Sequence, residues 1–383
     1  MTDKQAICPI CKGSESVRLY PEYEGRCITT QQIYCDGIIL DNRWCATCGF
    51  IWNDEGLRNC QETMFDTEEQ KPKPQIVSFS GGVKPLQQRS LEIFKSMITM
   101  PQSGSMLDFG AGNGNFLRFF HKEYPDWEMT AIEPKDDFAE QVKDLPTKKT
   151  YNVPYNLLDT NEQFDMIVVM SVLEHVPDPL HALRWIYDHL KPGGLLLMRH
   201  PDFASLPGDL FCADHISKMT VPHTRQLSEH AGFELQAQDI STLLFYFAFT
   251  KSEESPRGLP DCLAETREIA TNSEHIARRT IASVEAAVNS AKAAGKKAAV
   301  FGTSPIGSMA HLVLECRESV ACFVDENQNN WGRLIDGIPV VGPERMNEFC
   351  VSDLALAISP LYWESVEAKM RKYDVTVHVP KLD

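Results

Sequence analysis

The sequence is short of positive charge. Its 37 Lys and Arg face 53 Asp and Glu, a net charge of −16 over 383 residues. That excess repels phosphate backbones and anionic headgroups, so nucleic acid and membrane are not expected partners. Long apolar runs are also missing. The longest, Leu243 to Phe249, is far below the roughly 20 residues a membrane-crossing helix needs. Met1-Thr2-Asp3-Lys4 runs to Cys8 without an apolar stretch, so no secretory signal is read. No internal repeat or low-complexity tract is present. Most of the 12 cysteines are scattered singly, which fits a reducing cytoplasm better than a disulfide framework.

What is present is a βα text between two other kinds. Residues 1–70 are cysteine-rich and irregular, and Lys71-Pro72-Lys73-Pro74 reads as an extended linker. Residues 71–252 open with an amphipathic helix over 86–98. Strands are expected at 106–109, 127–132, 164–170 and 195–198, with helices at 115–122, 179–190 and 222–231 between and after them. Strands near 233–239 and 242–250 should close the unit as an antiparallel pair. A polar stretch at 251–259 marks a boundary. In 253–383 a long helix over 261–295 precedes a second α/β unit, with strands near 298–301, 320–324, 353–358 and 374–379. The fold class is α/β throughout, apart from the N-terminal segment.

Cys8-Pro-Ile-Cys11 and Cys45-Ala-Thr-Cys48 are two C-x-x-C knuckles. Two residues between thiolates let both sulfurs face one tetrahedral ion, so Zn2+ is the expected ligand. Cys27, Cys35 and Cys60 are spare ligands, and a redox pair or free thiols are the alternatives. Four thiolates close the coordination sphere, so this metal would serve folding and not chemistry.

Asp108-Phe-Gly110-Ala-Gly112-Asn-Gly114-Asn115 follows a strand and opens a helix, where glycines allow a sharp turn and close ligand approach. Glu133 ends the next strand, where a carboxylate can accept both hydroxyls of a ribose. Ser171-Val-Leu-Glu174-His175 follows the fourth strand, and Lys191-Pro-Gly-Gly194 precedes the fifth. The loop is D-x-G-x-G-x-G rather than the dinucleotide pattern G-x-G-x-x-G. In this order the motifs resemble those of the class I methyltransferases that use S-adenosylmethionine (SAM). The resemblance implies a Rossmann-like core, with Gly110, Gly112, Gly114 and Asn115 around SAM and Asp108 supporting the loop. It also implies that Glu133 holds the ribose and that Ser171 and Glu174 lie beside the cofactor. Asp159 is a further carboxylate for the adenine side or a turn residue, and His175 reads as a loop histidine.

The three-part order resembles the sugar C-methyltransferases, which add a C-terminal Rossmann-like domain. Ala299-Val-Phe-Gly302-Thr-Ser-Pro-Ile-Gly307 and Phe323-Val-Asp325 carry that likeness. It implies a nucleotide-linked keto sugar between the core and the C-terminal domain. Gly302 to Gly307 would receive a diphosphate and Asp325 a ribose. In that family a glutamate–histidine pair supplies the proposed base. Here the stretch reads Cys212-Ala-Asp214-His215, which makes His215 the base and Asp214 its orienting partner. Asp214 replaces glutamate, and Cys212 stands where tyrosine is expected. His200 and His223 are alternative bases, and Tyr23, Tyr34 and Tyr246 are pocket residues without a distinguishing signal. O- or N-methylation of another biosynthetic intermediate is the competing activity, and a SAM-binding partner without turnover the non-enzymatic one. A monomer or a homodimer fits the sequence equally.

Overall fold

The computed structural model describes residues 6–21, 23, 27–30, 34–35, 40–54, 76–79, 82–134, 138–252, 263–314 and 316–381. The Lys71–Pro74 linker, Cys60 and most of the 251–259 boundary lie outside them.

The central sheet has seven strands. Their spatial order is Thr147–Tyr151, Trp127–Ile132, Gly104–Phe109, Phe164–Met170, Leu190–Pro201, Leu244–Lys251 and Phe233–Asp239. The first five run parallel, and the last two form the expected antiparallel pair. Helices cover both faces, which is why Met166, Ile167, Val168 and Val169 form an uninterrupted apolar run. Each is at most 1% exposed. Burying each such side chain stabilises the fold by about 1.5–3 kcal/mol.

Local chemistry fixes the helix ends. Asp178 accepts the His181 N–H at 3.0 Å at the head of Pro179–His189. That helix stops at His189, and the next strand starts at Leu190, earlier than the Lys-Pro-Gly-Gly text suggests. Its antiparallel partner lengthens the strand to Pro201, pairing Leu195 with Thr250 through Pro201 with Leu244. Thr147–Tyr151 was not anticipated, because the adjacent Lys148 and Lys149 interrupt any apolar alternation.

The C-terminal sheet orders Leu334–Ile335, Ile338–Val341, Val320–Val324, Lys297–Phe301, Val351–Leu356 and Thr376–His378. All pairs are parallel except the first, a short hairpin. Near the N-terminus, Ser16–Arg18, Asn42–Cys45 and Ile51–Asn53 form an antiparallel sheet.

The helix Leu263–Ala293 joins these parts. Ala270, Ala277 and Ile281 share one apolar cluster with Trp44 and Ile28 from the N-terminal part. Phe203 and Phe211 of the core and Ile306 and Met309 of the C-terminal unit complete it. Farther along the helix, Val284, Ala287, Val288 and Ala291 pack on the C-terminal sheet.

Candidate functional site

The loop after Gly104–Phe109 is built on backbone that side chains disfavour. Gly110, Gly112 and Gly114 have φ of 78°, 59° and 71°. A Cβ on Gly110 would also meet Val172 at 2.5 Å. The turn lets Gly110 and Ala111 donate to the Ile132 carbonyl at 2.9 and 3.0 Å. Glu133 then accepts the Gly112 N–H at 2.8 Å. The result is a cleft of about 360 Å³ bordered by Asp108, the glycine loop, Asn115, Met170 and Arg199.

Asp108 lines this cleft and does not brace the loop as the motif implied. It is 1% exposed, and neither carboxylate oxygen has a hydrogen-bond partner. Burial, followed by the charge of Glu133, raises its carboxyl to about 7, against the pull of Arg199. Among the described residues, Arg199 is the one cation on the cleft lining. It donates to Ser90 and Ser171 hydroxyls, each at 3.0 Å, and its Nε has no partner. Ser171 therefore meets the cleft through Arg199. Its left-handed φ of 58° is held by its own N–H donating to the Arg199 carbonyl at 2.7 Å. Asp159 lies off this lining.

A second cleft, of about 720 Å³, lies where three parts of the chain meet. Thr30 comes from the N-terminal part, and Leu206 to Asp209 with His215 from the core. Ser304 to Ile306, Ile358 and Ser359 come from the C-terminal unit. The fit is close, since a Cβ on Gly208 would sit 2.8 Å from the Ile306 Cβ.

At its edge the structure corrects the expected pairing of His215. Asp214 does not reach the His215 ring. Its carboxylate accepts the Thr30 N–H at 2.9 Å, the Thr30 hydroxyl at 2.6 Å and the Cys212 thiol at 3.0 Å. The reason is strand-like: Ala213 N–H donates to the Ile28 carbonyl, which draws Asp214 toward the N-terminal part. The partner of His215 is Asp209, with Nδ1 and Oδ1 2.5 Å apart. Burial opposes the imidazolium, but the charge and hydrogen bond of Asp209, helped by Asp214 and Glu174, lift His215 to about 9. The same pairing, outweighing burial, holds Asp209 below the ordinary carboxyl range.

Glu174 also lies elsewhere than expected. It is off the cofactor cleft lining. A side-chain atom from each of Glu174, His175 and His215 falls within 4.8 Å of the others. Glu174 is 1% exposed, with one oxygen unpartnered. His175 donates its Nδ1–H to the Asp214 carbonyl, 2.7 Å away. Residues 170–175 thus run from the glycine-loop cleft, lined by Met170, to the His215 ring, whose centroid lies 5.0 Å from that of His175.

The alternative bases are committed to the core. His200 meets the Thr224 hydroxyl at 2.6 Å, and His223 meets the Gly49 carbonyl at 3.0 Å. Burial drives His223 down to about 4. Tyr23 packs on Phe211, and Tyr246 is buried against Phe94. The Tyr34 and Cys35 side chains lie outside the described set. Asp325 is likewise occupied, by Thr303 at 2.6 Å, Asn330 at 2.8 Å and the Asn327 N–H at 2.8 Å.

Cys8, Cys11, Cys45 and Cys48 come together as their spacing suggests, all sulfurs within 4.8 Å of one another. Cys27 is not among them. Cys8 and Cys48 sulfurs are 3.7 Å apart, and those of Cys11 and Cys45 3.5 Å. Gly13 and Thr47 aim backbone N–H groups at Cys11 and Cys45 sulfur, each at 3.4 Å. Hydrogen bonds with neighbouring thiols pull Cys45 below the thiol range and push Cys8 up to about 12. Such a donor set fits a tetrahedral divalent ion, which would let all four ionise.

Sequence reading missed Asp209, Arg199 and Thr30. A signal for Asp209 existed: it follows Pro207-Gly208, a turn pair that can fold a carboxylate back on a histidine six residues later. Arg199 sits in strand text, and Thr30 reaches the site only through tertiary pairing.

A family model for a methyltransferase domain matches residues 86–238. A methyltransferase of Strobilurus tenacellus, str2, is 29% identical over 135 residues, covering 35% of this chain and 49% of that protein. A ubiquinone biosynthesis O-methyltransferase of Xanthomonas campestris is 26% identical over 176 residues, covering 40% of this chain and 72% of that protein. The one from Ruegeria pomeroyi is 56% identical over 39 residues, 10% of this chain and 16% of that protein. The chain thus spans half or less of the length of two of these relatives. Among solved structures, the plantazolicin methyltransferase BpumL in complex with SAH covers 44% of this chain and 83% of its own, at 12% identity and TM-score 0.37. Residues 86–238 thus match a methyltransferase domain, and the seven-stranded sheet over residues 104–251 is Rossmann-like.

Proposed function

We propose that this chain transfers the methyl group of SAM to a small molecule held in the three-part cleft. The acceptor we carry forward is a nucleotide-linked keto sugar, methylated at carbon. One observation supports the reading most directly: a buried His–Asp pair opens on a cleft, and residues 170–175 run from the glycine-loop cleft to that histidine. In this reading residues 1–70, 71–252 and 253–383 are three units, each giving the cleft a wall.

When bound, SAM supplies a methyl group on a sulfonium, already activated and needing chiefly alignment. Arg199 would face its carboxylate and Asp108 its ammonium, with Glu133 beside the ribose. Gly110, Gly112, Gly114 and Asn115 would shape the rest. His215 would take the acceptor proton. With Nδ1 committed to Asp209, the transfer falls to Nε2. The four cysteines would hold Zn2+, which stabilises the module without an open coordination position.

One observation favours a second reading, O- or N-methylation of a less polar intermediate. Among the described residues, no Lys or Arg lines the acceptor cleft, and Asp325 is occupied. Among the described residues, a diphosphate would depend on backbone N–H groups near Ser304 to Ile306.

The test is a thermal-shift screen of nucleotide sugars with S-adenosylhomocysteine present, since ligands that bind the folded state raise its melting temperature. A shift with one nucleotide family, followed by a new C–CH₃ carbon signal in the product, is the expected result. An O–CH₃ product would transfer the assignment to the second reading. His215→Ala should lower turnover by roughly 10²–10⁴-fold while S-adenosylhomocysteine still binds. Near-normal turnover would remove His215 from the reaction.

A further inference from the structure

We infer that Asp209 is the positioning residue for His215, fixing its tautomer and stabilising the imidazolium formed when the acceptor gives up a proton. This rests on the reading of His215 as proton acceptor. The argument begins with the groups that face the ring. Asp209 comes from the turn Pro207–Phe211, Asp214 from the adjacent backbone, Glu174 and His175 from Leu173–His175, and Cys212 and Lys218 from the same segment as His215.

Their commitments differ. Asp214 is engaged by Thr30 and Cys212. Glu174 contributes charge, and its Oε2 has no hydrogen-bond partner. Asp209 alone among these carboxylates hydrogen-bonds the ring, and both side chains of the pair are 9% exposed. Asp209 is itself held. Its N–H donates to the Leu206 carbonyl at 2.9 Å. Lys218, fully buried, donates to the Asp209 carbonyl at 2.5 Å and to the Cys212 carbonyl at 3.1 Å. Its Nζ lies 4.0 Å from Asp209 Oδ2.

A carboxylate accepting from Nδ1–H keeps that proton on Nδ1 and leaves the Nε2 lone pair for the acceptor proton. The bonds broken would be acceptor C–H or O–H and the methyl–sulfur bond of SAM; the bonds formed would be Nε2–H and acceptor–methyl, with the sulfur keeping its electron pair in S-adenosylhomocysteine. The positive charge lost by the sulfonium reappears on His215, beside Asp209. Burial alone would weaken the base, and Asp209 reverses that, to about 9. With His215 at about 9, the Nε2 lone pair is free only in the deprotonated fraction, which grows as pH rises toward 9.

The test needs no acceptor. Full-length protein carrying ¹³Cε1-labelled histidine is titrated by NMR, with the His215 signal assigned from His215→Gln. Wild type should titrate near 9, and Asp209→Asn should titrate at or below the ordinary 6.5. Asp214→Asn should move the midpoint less, and Asp209→Glu should restore part of the shift. A midpoint unmoved in Asp209→Asn, or moved more in Asp214→Asn, overturns the inference. S-adenosylhomocysteine binding reports whether each variant folds. If Asp209→Asn does not fold, wild type decides: a midpoint near 9 supports the pairing, and one at or below 6.5 overturns it. Because no methyl transfer is read, failure here is separable from failure of the proposed reaction.

Discussion

Asp108 is an ionisable group left without hydrogen-bond partners at the edge of a cleft. Its carboxyl is raised to about 7, so the empty fold favours the protonated form. That contribution to stability is full below the unfolded carboxyl range near 4 and is lost as pH rises through 7. Binding of a cationic ammonium reverses the preference and expels the proton. SAM affinity, measured by calorimetry, should therefore weaken toward tenfold per pH unit below about 7 and level off above it. Asp108→Asn should bind SAM more weakly at pH 8, with little change between pH 6 and 8, while the apo protein melts at a higher temperature. A steep pH dependence persisting in Asp108→Asn would assign the effect to another group. The sequence marked Asp108 through its motif position. Its lack of partners was not legible, because it depends on which neighbours burial brings near.

At the scale of elements, hydrophobic periodicity was enough for the strands Trp127–Ile132 and Phe164–Met170 and for the helices on them. Each is a local pattern that burial rewards. Knuckle spacing likewise sufficed for the four cysteines. The assignment of His215 to Asp214 failed for a tertiary reason. A neighbour in sequence was taken for a neighbour in space, whereas the Ile28–Ala213 pairing pulls Asp214 away. The turn Pro207–Phe211 depends on a contact no local pattern encodes, Gly208 against Ile306. Gly208→Val forces backbone or Ile306 to move, costing about 1–3 kcal/mol. Misplacing Asp209 should then lower methyl transfer by roughly 10²-fold, while SAM binding changes little. Turnover equal to wild type would show that this contact does not govern the acceptor side.

Over the whole molecule, the cysteine module grips the segment that carries His215 from two sides. Lys218 N–H donates to the Ile51 carbonyl at 3.0 Å, and Asn53 N–H to the Ile216 carbonyl at 2.8 Å. Thr30 holds Asp214 from the other direction. Removing the ion proposed for the four cysteines should therefore affect the distant cleft. Chelation of the full-length protein should release about one zinc per chain. It should lower the melting temperature and move the His215 NMR signal, while S-adenosylhomocysteine binding survives better than turnover. A His215 signal indifferent to chelation would mean that the module and the cleft are uncoupled.

The two clefts differ in where their walls come from. The glycine-loop cleft is lined between Gln87 and Arg199, whereas the cleft proposed for the acceptor draws on Thr30, His215 and Ile358, from distant stretches of one chain. Drift in the outer segments can accordingly retune which molecule is modified without touching the machinery that holds the donor. Descendants of this architecture can diverge in product while inheriting the same donor.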